Sequence, residues 1–153
     1  MRFHLVVVGR PRDRALAAAI GEYEARAARY WPIEVHEVRE ESARGAPAEL
    51  VRVRESERLA ARAESARLVV MDVQGRAMTS EELSRWMQAA REAARDVAII
   101  IGGAHGVSDA LRERAELRLS LSTLTLPHEL ARLVLAEQLY RAGTIVRGEP
   151  YHK

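Results

Sequence analysis

The apolar positions of the chain fall into short runs separated by amphipathic stretches. Phe3 to Val8, Leu68 to Met71 and Val97 to Ile101 are rich in β-branched residues and bounded by Gly9, Gly75 and Gly102, which predicts three short buried strands. Ile33 to Val38 predicts a more polar fourth. In Leu117 to Leu121, three leucines alternate with Arg118 and Ser120, the pattern of a strand with one buried face at or near a sheet edge. Helical periods lie between these runs. Leu16, Ile20, Tyr23 and Ala27 form one stripe from about Asp13 to Tyr30, and a second helix starts near Pro47. Thr79 and Glu82 make a capping box for a third helix, whose inner stripe is Leu83, Trp86, Met87 and Ala90. Ser108 caps a short fourth, and Pro127 fits the first position of a last helix that runs to about Ala142. Glu40 to Ala46 reads as a mobile loop, and Gly143 to Lys153 as a polar, non-helical tail.

The alternation of strand and helix predicts an α/β fold with a mainly parallel sheet and helices on both faces. At 153 residues and 48% hydrophobic content, the chain suits a single domain over 1–153. The last helix is unusual, because Leu130, Ala131, Leu133, Val134, Leu135, Ala136, Leu139 and Tyr140 make it apolar almost all round. Such a helix is buried either by its own chain or by a second subunit, and the small size of the chain favours a homodimer.

Composition narrows the chemistry. There is no cysteine, so disulfides, thiolate metal sites and cysteine nucleophiles are excluded. The apolar run Leu5 to Val8 is too short for a signal segment or a membrane span, which predicts a cytoplasmic protein with no membrane partner. The net charge of +2 leaves most basic groups matched by acidic ones on solvated helix faces. Every basic side chain except Lys153 is arginine, however, so an RNA-binding patch stays open beside that reading.

Motifs of common enzymes are missing. Gly102-Gly103-Ala104-His105-Gly106 is not a G-x-G-x-x-G fingerprint, and neither a P-loop nor a G-x-S-x-G elbow occurs. His4, His36, His105, His128 and His152 have no zinc-ligand spacing, so no metal site is expected. What remains are three segments following strands: Met71 to Gly75, Gly102 to Gly106, and Leu121 to Leu126. The glycines either admit a ligand to the backbone or simply turn the chain. The mixed apolar and hydroxyl segment Leu121-Ser122-Thr123-Leu124-Thr125-Leu126 suits an adenine pocket, or is only the end of a strand. By position alone, His128 reads as a structural or solvated histidine at a helix start, and Tyr151 and His152 as part of a frayed end.

The blocks VVMDVQG, IIIGGAHG and LSLSTLTLPHELARLVLAEQLYRA and the ending RGEPYHK, in that order, resemble the SPOUT-class ribosomal RNA large-subunit pseudouridine N3-methyltransferase family. The likeness runs from LVVVG to Lys153. It implies a SPOUT-type fold with a C-terminal trefoil knot, one of the rare exceptions to the rule that chains do not thread, in a homodimer. It also implies S-adenosylmethionine as cofactor, held by Met71, Gly102, Leu121, Ser122, Thr123, Leu124, Thr125 and Leu126. Met71 stands where leucine is common in the family, and His105 lies at a variable place and takes no role. His128, Arg141, Tyr151 and His152 are the implied substrate-side residues, with Arg147 a weaker candidate for phosphate. In that set His152 is the candidate base, Tyr151 positions the substrate base and Arg141 attracts phosphate or the developing oxyanion. The implied partner is large-subunit ribosomal RNA on assembled ribosomes, and not DNA. Two rivals remain: another SPOUT RNA methyltransferase activity, which would share fold and cofactor but against which the specific tail argues, and a non-catalytic ribosome-binding factor, which can keep every motif. A receiver-type module lacks support, because no acidic pair follows the first strand.

Overall fold

The computed structural model describes residues 1–153 apart from Ala43, Glu64 and Lys153, and for His152 the backbone alone. Strands β1 (Phe3–Val8), β2 (Ile33–Val38), β3 (Arg67–Ala77), β4 (Val97–Ile101) and β5 (Leu117–Ser120) form a sheet in the order β2-β1-β4-β3-β5, every pair parallel. The alternating pattern of β5 is borne out by its place at an edge. Helices α1 (Arg14–Ala27), α2 (Ala48–Arg62), α3 (Ser80–Glu92), α4 (Asp109–Glu113) and α5 (His128–Val146) complete the fold, followed by a 3-10 turn at Pro150–His152.

Both faces of the sheet are covered. Phe3, Leu5, Ile99 and Ile101 pack against Ala27 of α1, Met87 of α3 and Leu135 and Leu139 of α5. On the other face, Val6, Val70, Ala98 and Ile100 meet Leu59 of α2 and Leu111 of α4. This is why β4 reads as an unbroken apolar run rather than an alternation. Local signals set the helix starts: Asp13 accepts from the Leu16 N–H at 2.8 Å, and the Thr79–Glu82 capping box has both of its bonds, at 3.1 and 2.8 Å.

Several sequence expectations need correction. Pro127 is the N-cap of α5 and not its first helical residue, since its ψ of 144° is extended while its carbonyl already accepts from the Ala131 N–H at 2.9 Å. The helix also runs past Ala142 to Val146. Gly143, expected to stop it, is instead a packing residue, because a Cβ there would collide with the Tyr30 ring. The Thr144 hydroxyl is satisfied within the helix by donating to the Arg141 carbonyl at 2.8 Å. Strand β3 continues through Gly75 to Ala77, with a register shift against β5 between Met71 and Arg76. Gly75 permits that bulge, since a Cβ would lie 2.6 Å from the Arg118 carbonyl. Strand β5 ends at Ser120, one residue short of Leu121.

Candidate functional site

A cavity of about 540 Å³ opens at the C-terminal ends of β4 and β5, beside the middle of β3 at Met71, Asp72 and Val73. Its size and its mainly apolar lining, with a few polar groups, are those of a small-molecule site. Met71, Ile101, Leu119, Leu121, Leu126 and Ala131 supply the apolar surface. Asp72, Arg112 and His128 supply charge and hydrogen-bonding capacity.

Two loops shape it. In the β4–α4 loop, a Cβ on Gly102 would stand 2.7 Å from the Gly106 carbonyl carbon and 2.9 Å from Val107 Cγ1. The Gly106 N–H donates to the Gly103 carbonyl at 3.0 Å, and Gly106 has a φ of +73°. The loop therefore closes on itself, and the missing side chain at Gly102 serves that closure. In the β5–α5 loop, the Ser120 hydroxyl lies 3.2 Å from the Val73 carbonyl and 3.0 Å from that of Ser122. The Leu124 N–H donates to Ser122 Oγ at 2.9 Å. Among the described residues, the backbone N–H groups of Thr125 and Leu126 have no protein acceptor, so the loop offers two donors beside its leucines.

Asp72 and Arg112 were not singled out from the sequence. Asp72 Oδ1 accepts from the Gln74 N–H at 3.0 Å, while its buried Oδ2 lies 3.6 Å from Arg112 Nε and 3.7 Å from an Arg118 nitrogen. Asp72 lies in the VVMDVQG block next to Met71, a signal that could have found it. Nothing in the sequence marked Arg112.

Arg141 and Tyr151 lie elsewhere. The Tyr151 hydroxyl donates to Glu137 at 3.1 Å and is 3.5 Å from that of Tyr23, its ring is 4.5 Å from that of Tyr140, and the Arg141 guanidinium lies 4.9 Å over it. Arg141 Nε donates to Glu137 at 3.0 Å. Burial, then the Tyr23 hydroxyl and the Glu137 carboxylate, push the Tyr151 phenol well above its ordinary value, so it is a donor at neutral pH. Arg141 lies thirteen residues beyond His128 along α5, a rise of about 20 Å at 1.5 Å per residue. Within one chain the two sets therefore stand apart.

A family profile described as "Predicted SPOUT methyltransferase" matches residues 1–152. The chain belongs to this SPOUT methyltransferase family. It is 59% identical over 154 residues to the "Ribosomal RNA large subunit methyltransferase H" of Gemmatimonas aurantiaca, with 100% of each chain covered. To the protein of the same name from Anaeromyxobacter sp. (strain Fw109-5) it is 46% identical over 157 residues, again with 100% of each covered. Among solved structures, a Haemophilus influenzae Rd KW20 protein described as a "probable methylase family protein" superposes with a TM-score of 0.56 at 12% identity, covering 99% of this chain and 70% of that one. That likeness speaks for the fold alone.

In this SPOUT methyltransferase the cavity gathers Met71, Gly102, Leu121, Ser122, Leu124, Thr125, Leu126 and His128 from the expected set. Thr123 is exposed and does not line it. The His152 side chain lies outside the described residues. One expectation from the sequence changes: His4 and His36, with no ligand spacing along the chain, meet across β1 and β2 with Glu34 beside them. Among the described residues, no helix is long and apolar enough to cross a membrane.

Proposed function

We propose that the chain transfers a methyl group from S-adenosylmethionine to N3 of a pseudouridine in large-subunit ribosomal RNA. In this reading it acts as one SPOUT domain over residues 1–153, as a cytoplasmic homodimer working on assembled ribosomes. The observation that carries the reading is the cavity, where Met71, the Gly102 loop, Leu121, Leu126 and His128 meet, in a chain whose full length matches relatives named for large-subunit ribosomal RNA methylation.

The residues present fit the cofactor. The leucines of Leu121 to Leu126, with Met71, offer an apolar slot that keeps water from an adenine ring, and the Thr125 and Leu126 N–H groups offer it donors. Asp72 and Arg112 bring one carboxylate and one guanidinium to the same lining, matching a zwitterionic amino-acid moiety. Bound S-adenosylmethionine supplies an electrophilic methyl carbon on a sulfonium sulfur. His128, at the start of α5, faces the incoming base. Methyl transfer of this kind mainly demands positioning, but an imide N3 must also lose its proton to become nucleophilic. The partner subunit's His152 accepts that proton at its imidazole. The partner subunit's Tyr151, held protonated, stacks on the base or donates to it, and the partner subunit's Arg141 meets phosphate or the developing oxyanion.

The separation of about 20 Å between His128 and Arg141 along α5 supports a dimer, because only a second chain brings a tail to this cavity. Leu130, 37% exposed on the same helix, and the half-buried Leu133 and Val134 give that second chain an apolar surface. The same reading includes a trefoil knot, with the C-terminal part of the chain threaded through a loop beside the cavity. A test uses methyl-labelled S-adenosylmethionine with 50S subunits, 30S subunits and protein-free large-subunit RNA. Label should enter the 50S particles, and enter free RNA far more slowly, because a chain of net charge +2 has few phosphate contacts to spend on RNA alone. Equal rates on free RNA would refute the ribosomal context.

A further inference from the structure

We propose that His4, His36 and Glu34 form a binding site for a zinc-class divalent cation, at the opposite end of the sheet from the cofactor cavity. The register of β1 and β2 sets His4 opposite Glu34 and Val6 opposite His36, so all three side chains lie on the α2 face of the sheet. His4 Nδ1 and His36 Nε2 are 3.0 Å apart. Glu34 Oε2 is 3.9 Å from His4 Nδ1, and Glu34 Oε1 is 3.7 Å from His36 Nε2. A tetrahedral ion with bonds of 2.0–2.1 Å holds its ligand atoms about 3.3–3.4 Å apart. One carboxylate oxygen of Glu34 and the two ring nitrogens all lie within 4.8 Å of one another, so modest side-chain rotations bring them onto one ion.

The surroundings agree with a ligand role. His4 Nε2 lies 3.5 Å from Asp96 Oδ2, so a carboxylate orients the ring with Nδ1, paired here with His36 Nε2, turned toward the site. Asp96 is itself anchored by the Arg2 backbone N–H at 2.7 Å and by the N-terminal amine at 3.7 Å. Two imidazoles and one carboxylate without thiolate favour zinc or a neighbouring first-row ion over magnesium or calcium. Glu34 is the exposed member of the set, so solvent completes the coordination. Arg2 competes for Glu34 Oε2 at 3.3 Å, and the charge of Arg62 also reaches His36, so the site is of moderate affinity. Its place on edge strand β2 makes it a fastener between β2 and β1, with no part in methyl transfer.

The test is calorimetry of tag-free, chelator-treated protein with zinc chloride, supported by the visible spectrum of the cobalt form. One zinc per chain is expected, lost in His36→Ala, with affinity falling about 10–100-fold in Asp96→Asn, whose effect runs through His4. Glu34→Gln, an exposed change with little folding risk, should also weaken binding, while His105→Ala in the distant glycine loop should leave it unchanged. S-adenosylmethionine affinity measured on each variant shows that the fold is intact. Zinc binding that is absent from the parent protein, that survives the His4→Ala/His36→Ala pair, or that is untouched by Glu34→Gln would overturn the site and leave a hydrogen-bonded histidine pair.

Discussion

Gly102 and Gly143 are both positions without room for a β-carbon, and they differ in what that closeness serves. At Gly102 the obstruction is the backbone of Gly106, in the loop that lines the cavity. Gly102→Ala should therefore introduce overpacking of about 1–3 kcal/mol that the loop relieves by opening. The expected result is at least a tenfold loss of S-adenosylmethionine affinity by calorimetry, and unchanged affinity would remove the loop from the site. At Gly143 the obstruction is the Tyr30 ring, in the contact between α1 and α5. Helix propensity alone makes Gly→Ala stabilising by about 1 kcal/mol in a helix interior. The clash outweighs it, because Tyr30 is held at its far end by Glu149. Gly143→Ala should thus lower stability in urea unfolding, and a gain would show that the ring moves aside. From sequence, Gly143 looked like a helix stop. A glycine's dihedral freedom is visible in a sequence pattern, whereas a neighbouring ring 113 residues away along the chain is not.

Helix α5 joins the site to the rest of the molecule, and its least expected residue is Arg132. In a helix read as apolar almost all round, this guanidinium is buried and forked onto Glu24 of α1 at 2.8 and 3.2 Å, with a third bond to Glu37 of β2 at 2.9 Å. Burying such a group is costly, and the three charge-assisted bonds offset that cost. Arg132→Ala should lower stability by about 3 kcal/mol, near the low end for a broken buried pair, since both carboxylates retain some solvent. Chemical denaturation of the variant measures this, and a loss below about 1 kcal/mol would place the pair among weak surface bridges. The strands, the capping box and the apolar stripe of α3 were legible in sequence because each depends on local spacing. Arg132, the bulge at Gly75 and the continuation of α5 were not, because each depends on contacts between elements far apart in the chain.

At the scale of the whole molecule, the cavity was partly legible from the order of glycine and leucine segments after strands, while the substrate-side residues came from family likeness alone. The structure leaves Arg141 and Tyr151 near Tyr23 and Glu137, away from the cavity of their own chain. A forced heterodimer tests whether they act across subunits: one chain carries Gly102→Arg with its tail intact, and the other keeps its cavity but ends before Pro150. If tails act in trans, the intact cavity receives the intact tail and about half the parental activity returns, one working site of two. A heterodimer as inactive as its two parent homodimers would overturn trans action. The most direct measurement of the account as a whole is to incubate the protein and labelled S-adenosylmethionine with ribosomes lacking the modification, digest the large-subunit RNA and locate the methyl group by mass spectrometry. A single methyl on N3 of a pseudouridine is the predicted result. A methyl on a ribose or on another base, or no transfer by a protein that binds the cofactor, would contradict it.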